Sequence, residues 1–344
     1  MNARQNTYES GSASVLVLGD GGWGTAIALT LHRAGHDVRL WSVDDAYARS
    51  MSESRQNPKY LPGIDLPSDL TIGSSAADLS RDVKAIFSVI PTQHLRTAWQ
   101  ALSPNLPTNV PIASCSKGVE KGTLKLPSEI LEEILPDARI TVFSGPSHAE
   151  EVARDLPTTV VAASPNGQDA ELIQSLFHRT HLRVYTARDC RGVELGGAVK
   201  NVIAIAAGVS DGLGFGDNSR AALVARGLVE IARLGVALGA SPETFAGLSG
   251  MGDLITTCTS QHSRNHTVGF RIGKGETLQD ILRSTEMVAE GVETSRSVHE
   301  LRQRVGVEMP ICEEVYTVLH GGKSAREAVV SLMSREVKAE TELF

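Results

Sequence analysis

Lys200 and Asn201 lie inside Gly196-Gly-Ala-Val-Lys-Asn, a markedly apolar stretch with helical spacing. An ammonium buried there is costly unless paired, and burial would lower its pKa toward the range useful for proton transfer; a lysine snorkelling to the helix surface would keep its ordinary charge. A second lysine, Lys117 in Ser116-Lys-Gly, follows a strand-like run. It is placed either to polarise a substrate oxygen or bind a phosphate, or to stand solvated at the surface. Gly250-Met-Gly-Asp253 precedes Thr257-Cys-Thr-Ser-Gln-His-Ser263-Arg264-Asn265. A guanidinium among small hydroxyl and amide side chains suits a phosphate, while the same residues also read as a helix N-cap with an exposed arginine. In Ser144-Gly-Pro-Ser147-His-Ala-Glu-Glu, Pro146 pre-sets a turn and Ser147 either caps a helix or touches substrate.

Other chemistries lack their residues. There is no H-E-x-x-H, and His262 and His266, four apart, have no third ligand, so both are expected to be structural and no metal is expected. No G-x-S-x-G elbow precedes a helix, no Walker lysine follows the glycine turn, and no tyrosine stands four residues before a lysine as in short-chain dehydrogenases.

Groups scattered over so much chain need a scaffold that brings loops together. Val15 to Leu18 run into Gly19-Asp-Gly21-Gly-Trp-Gly24 and then a helix-compatible segment. Gly19 permits the tight turn, Gly21 lets backbone N–H groups approach a pyrophosphate, and Gly24 allows close helix–strand packing. The helix N-terminus then presents its positive end to the anion, which reads as a dinucleotide site. A second strand at 37–42 ends near Asp44, about 20 residues past the glycines, where a Rossmann unit places its ribose-binding acid. A carboxylate there accepts both adenosine ribose hydroxyls and repels a 2′-phosphate, which predicts NAD in preference to NADP; the alternative is that Asp44 and Asp45 cap the next helix.

Further strands are expected at 85–90, 110–114, 139–143, 159–163 and 181–185, alternating with helices. After residue 190 the pattern turns helical, at 198–209, 221–238 and 325–338. The fold class is therefore α/β: an N-terminal Rossmann-like, doubly wound, mostly parallel sheet followed by an all-α domain. The expected division is a flexible tail at 1–13, a dinucleotide domain at 14–190 and a helical substrate domain at 191–344, with the site in the cleft between the domains.

With 344 residues the chain is too long for one typical core. A net charge of −7 disfavours nucleic acid and acidic membranes as partners, so cations for an anionic substrate must be local. The four cysteines, Cys115, Cys190, Cys258 and Cys312, form no C-x-x-C pair, which suggests reduced thiols in a cytoplasmic protein. No signal peptide is apparent, and no uninterrupted apolar run approaches the roughly 18 to 20 residues of a membrane span. A homodimer is the expected assembly, because two-domain metabolic enzymes commonly pair.

The blocks G-D-G-G-W-G-T-A at 19–26, S-K-G at 116–118, S-G-P-S-H-A-E-E at 144–151, G-G-A-V-K-N at 196–201, G-D-N-S-R-A-A-L at 216–223, G-M-G-D-L at 250–254, T-S-Q-H-S-R-N at 259–265 and V-A-E-G-V at 288–292 are ordered along nearly the whole chain. In these blocks the chain closely resembles the bacterial-type NAD(P)-dependent glycerol-3-phosphate dehydrogenases. The resemblance implies that Lys200 is the general base for the secondary hydroxyl, and that Lys117, Gly145, Ser147, Asp253, Ser263, Arg264 and Asn265 hold a phosphorylated substrate. It also implies cofactor contacts from Gly22, Trp23, Lys117, Ala149, Arg264, Val288 and Glu290, with NAD or NADP as cofactor, and a place in phospholipid precursor supply. Two positions depart from the family's common pattern. Gly22 stands where serine is usual, which leaves the backbone donors and the turn intact, and Val43-Asp44 replaces a His-Arg pair suited to a 2′-phosphate, which puts NADP use in doubt.

A β-hydroxyacid or 6-phosphogluconate dehydrogenase resembles the same architecture, but Ser263-Arg264-Asn265 and Gly250 to Asp253 argue against it. A non-catalytic NAD-sensing module would have no need of Lys200 in an apolar helix.

Overall fold

The computed structural model describes residues 12–284 and 289–336. Ten strands form among the described residues: β1 Ser14–Leu18, β2 Asp37–Trp41, β3 Gln56–Asn57, β4 Leu61–Asp65, β5 Thr71–Gly73, β6 Ala85–Ser88, β7 Ile112–Ser114, β8 Ile140–Ser144, β9 Thr158–Ala163 and β10 Leu182–Ala187. Eight of them make one sheet in the order β10-β9-β8-β7-β6-β1-β2-β5, and β3 and β4 pair separately. The sheet is parallel except where β9 runs antiparallel to β8.

Strand β1 is apolar throughout because both of its faces are covered. Val15 and Val17 pack with Ile27 and Leu31 of the helix Gly22–Arg33, while Leu16 and Leu18 point the other way onto Trp99 and Leu95. Phe87 and Phe143 stand edge to face across β6 and β8, and Phe177 stacks on Phe143 to close the same layer. The strand order reverses at β1, which has β2 on one side and β6 on the other, so a crevice opens at the carboxyl ends of β1 and β6.

The second half is built around the helix Cys190–Gly212, buried along nearly its whole length by helices Asp217–Ala237, Asp253–Thr259, Arg264–Gly273, Glu290–Val305 and Pro310–His320. By length and composition this helix is apolar enough to cross a membrane, which the sequence reading, counting only uninterrupted apolar runs, did not expect of it. Ninety-four per cent of its 18-residue apolar window is buried inside the protein, which makes it a core helix here.

Two carboxylates in this core cap helices from other parts of the chain. Glu194 accepts from Ser128 N at 2.8 Å and from the Ser128 hydroxyl at the start of Pro127–Ile134, and Glu230 accepts from Ile311 N and Cys312 N at 2.6 and 3.0 Å at the start of Pro310–His320. Burial pushes Glu194 up to about 8 and Glu230 to about 7.

All seven expected strands form, within a residue or two of their expected positions. The edge strand β5 and the β3–β4 pair were not expected, since they are short and mostly polar. The last expected helix ends at Met333; residues 337 and 338, and 1 to 11 of the expected tail, lie outside the described residues.

Candidate active site

The loops that follow β1, β6, β7 and β8 meet the central helix in a cleft of about 200 Å³. Its lining includes Gly21, Gly22, Trp23, Gly24, Lys117, Ser147, Lys200, Ser263, Arg264, Asn265 and Glu290, residues expected to act together from stretches nearly 270 positions apart (290 against 21).

The dinucleotide turn takes the shape that its glycines predict. Gly19 has φ +123°, and a Cβ there would stand 2.7 Å from the Val89 carbonyl oxygen; a Cβ on Gly24 would run into the Gly19 carbonyl. Beside Gly21 the space is open. The Trp23 indole nitrogen is buried with no acceptor, and no side chain caps the helix that starts at Gly22. Unmet donors beside open space fit a pyrophosphate. At Gly22 a Cβ would lie 2.7 Å from the Tyr60 carbonyl oxygen, so serine could not replace it without moving the Tyr60 segment.

Lys200, 6% exposed, is carried by the middle of the central helix. Its ammonium meets Asp253 Oδ1 and lies 2.7 Å from Thr257 Oγ1. Asp253 and Thr257 share one face of the helix Asp253–Thr259, four residues apart, and the Thr257 hydroxyl donates to the Asp253 carbonyl at 2.6 Å. Thr257 therefore acts as an acceptor toward Lys200. Gly196 lets this unit come close: a Cβ there would stand 2.5 Å from the Ser249 carbonyl oxygen in the π-turn Leu248–Gly252 that leads into Asp253. Burial pulls the Lys200 amine down to about 7, against the opposing pull of Asp253; the Lys117 charge lowers it further. Lys117 Nζ donates to Asp253 Oδ2 at 2.8 Å and to the Gly145 carbonyl at 2.9 Å, so one buried carboxylate bridges both lysines.

Chemically the arrangement is specific. A neutral amine has two hydrogens and one lone pair. Asp253 and Thr257 take the hydrogens, which leaves the lone pair to receive a proton from the cleft.

The remaining expected residues fall around this centre. Gly145 and Asp253 stand behind the lysines, Gly19 lies under the turn, and Ala149 packs beside Gly22. The Ser147 hydroxyl donates to the Gly145 carbonyl at 2.9 Å, and Ser263 caps Arg264–Gly273 by accepting from His266 N. Asn265 Oδ1 accepts from Gly291 N, and its amide donates to Asn201 Oδ1 at 2.9 Å. Glu290 accepts from Thr92 N at 3.2 Å; burial raises its carboxyl, and the nearby charges of Arg264, Lys117 and Lys200 oppose that rise. Asp44 is exposed at the end of β2 and accepts from Tyr47 N at 3.1 Å as the N-cap of Asp45–Ser54. Val288 lies outside the described residues.

Thr257, Asn201 and His148 were not among the expected site residues. Thr257 was legible as the i+4 partner of Asp253. His148 lines the cleft with an unpartnered Nε2; its pKa is lowered by burial and then by the charge of Lys200. His262, expected to be structural, also lines the cleft, with its ring 5.8 Å from that of His148, whereas His266 bonds Asp211 at 2.8 Å.

Comparison with known proteins follows the same residues. The profile of the NAD-dependent glycerol-3-phosphate dehydrogenase N-terminus matches residues 14–170, and that of its C-terminus matches 189–330. The chain belongs to this family. Among its relatives, the glycerol-3-phosphate dehydrogenase [NAD(P)+] of Citrifermentans bemidjiense is 50% identical over 95% of this chain and 98% of its own length. That of Geobacillus thermodenitrificans is 51% identical over 95% and 96%. The crystal structure of glycerol-3-phosphate dehydrogenase from Coxiella burnetii superposes with a TM-score of 0.90 at 38% identity, covering 94% of this chain and 99% of that one. This glycerol-3-phosphate dehydrogenase family member is thus an oxidoreductase that uses NAD or NADP.

Proposed function

We propose that the protein interconverts sn-glycerol 3-phosphate and dihydroxyacetone phosphate, with Lys200 as the group that takes and returns the hydroxyl proton. The observation that carries this reading is the buried amine whose two hydrogens are engaged by Asp253 and Thr257 while it faces the cleft. The nicotinamide, when bound, accepts or supplies the hydride. In oxidation the Lys200 lone pair accepts the secondary hydroxyl proton; in reduction its ammonium protonates the developing alkoxide. Lys117, Ser147, Ser263, Arg264 and Asn265 are suited to hold the substrate phosphate and its hydroxyls. Orientation of the carbinol carbon by that non-reacting phosphate supplies much of the rate. Gly145 and Asp253 complete the substrate set by fixing Lys117.

For the cofactor, Gly19, Gly21, Gly22, Trp23 and Gly24 cradle the pyrophosphate, and Lys117, Ala149, Arg264 and Glu290 supply further contacts to the dinucleotide, with Val288, outside the described residues, as another expected contact. An acidic rim at the end of β2, which includes Asp44, favours NAD over NADP. Residues 14–190 act as the dinucleotide domain and 191–344 as the substrate domain. We place the enzyme in the cytoplasm, supplying glycerol 3-phosphate for phospholipid synthesis, and as a homodimer. A second apolar cavity of about 790 Å³, lined by Phe215, Leu223, Val315 and the 81% exposed Met333, lies on the helical half away from the charged cleft and suits a second copy.

The test is loss of reduced cofactor on mixing the protein with dihydroxyacetone phosphate and either NADH or NADPH. Turnover, faster with NADH, is expected; no turnover with either would refute the activity.

A further inference from the structure

Asp20 lies between Gly19 and Gly21 in the dinucleotide turn, and its carboxylate accepts from the Ser42 hydroxyl at 2.7 Å. Ser42 is the residue that follows β2, so this bond suspends the carboxylate between the carboxyl ends of β1 and β2. In a doubly wound sheet that gap receives the adenosine ribose. The position is firmly held. Asn57 Nδ2 donates to the Asp20 carbonyl at 2.7 Å and Thr25 Oγ1 to the same oxygen at 3.2 Å, while the Ser42 hydroxyl also accepts from Asp44 N at 3.2 Å.

Asp44 is placed less well. One of its oxygens serves the N-cap of Asp45–Ser54 through Tyr47 N, and the residue is exposed.

We propose that Asp20 is the principal acceptor for the adenosine ribose hydroxyls and the residue that discriminates against a 2′-phosphate, with Asp44 as a secondary repulsive charge. This rests on the reading that the enzyme favours NAD. A carboxylate has about four acceptor positions, and Asp20 uses one for Ser42 and one for its own amide, which leaves a pair for two neighbouring hydroxyls. Burial raises the Asp20 carboxyl, Asp44 adds to the rise, and Lys59 opposes it. A partly buried carboxylate is costly to keep charged unless donors meet its remaining oxygen positions. Hydroxyl donors from a ribose offset that cost, whereas a 2′-phosphate would add charge of the same sign to the rim formed by Asp20 and Asp44.

The experiment is equilibrium titration of the full-length protein with NADH and with NADPH, followed by cofactor fluorescence, for wild type, Asp20→Asn, Asp44→Asn and Ser42→Ala. Asparagine keeps the Ser42 bond and removes the charge, so a purely structural Asp20 would leave cofactor choice unchanged. Asp20→Asn is expected to weaken NADH about tenfold, the loss of one charged hydrogen bond, with NADPH unchanged or tighter. The Kd ratio of NADPH to NADH then falls about tenfold or more, and Asp44→Asn lowers it less. A fall smaller than about threefold in Asp20→Asn, or a larger fall in Asp44→Asn, overturns the proposal. If Asp20→Asn does not fold, Ser42→Ala, which releases the carboxylate, is expected to lower the ratio about threefold, and an unchanged ratio overturns the proposal. Wild-type protein that binds both cofactors equally overturns the proposal and the NAD preference together. Turnover of dihydroxyacetone phosphate would still uphold the activity in that case.

Discussion

The amine of Lys200 is the residue on which the chemistry turns. Its burial and the proximity of Lys117 favour the neutral form, Asp253 favours the ammonium, and the balance near 7 lets one group serve both directions of reaction. Lys200→Ala is expected to lower kcat by about 10²- to 10⁴-fold, with NADH affinity nearly intact in a fluorescence titration. Parallel loss of both would indicate a folding role. Replacing Asp253 by Asn removes the charge that holds the amine's pKa up, so the pH at which oxidation switches on is expected to move down in a rate profile. An unmoved limb would detach Asp253 from the base. Lys200 was legible because a lysine in so apolar a segment needs a reason. Asp253 and Thr257 become its partners only through the π-turn at Leu248–Gly252, which carries no periodic signature in sequence. Asp44 was expected either to accept the ribose hydroxyls or to cap the next helix; its carboxylate carries the cap, and spacing alone could not separate the two roles.

At the scale of elements, the strands were legible where a fully covered sheet demands continuous apolar residues, as at Val15 to Leu18. β5 and the β3–β4 pair escaped because sheet-edge and hairpin residues need no apolar run. The central helix joins the elements through polar caps as well as apolar packing. Glu194 is pushed up to about 8 in the fold, from an ordinary value of 4.5, so the folded chain binds this proton more tightly than the unfolded one. The stability that this difference contributes is complete below about 4.5 and is lost as pH rises to about 8. Glu194→Gln keeps an acceptor for Ser128 N and presents an amide donor to the Ser128 hydroxyl. Between pH 5 and 8, thermal unfolding of this variant is expected to gain on that of the wild type as pH rises; a constant difference would mean that Glu194 does not titrate in the fold.

Across the whole molecule, the site exists only where the two halves meet. Lys117 reaches Asp253, Thr92 N reaches Glu290, and the Ser297 hydroxyl donates to the Val119 carbonyl at 3.0 Å, each bond joining the sheet half to the helical half. The sequence pointed to such a cleft from the change of pattern near residue 190, whereas the bridging carboxylate between two lysines depends on how the halves dock. The most direct test is kcat/KM against pH, measured in both directions on one preparation. A neutral Lys200 amine is required for oxidation of sn-glycerol 3-phosphate and its ammonium for reduction of dihydroxyacetone phosphate. Oxidation should therefore rise, and reduction fall, through a common pKa of about 7. Profiles without an inflection near that pH, or an inflection that persists in the residual activity of Lys200→Ala, would contradict the assignment of Lys200 as the proton-transferring group.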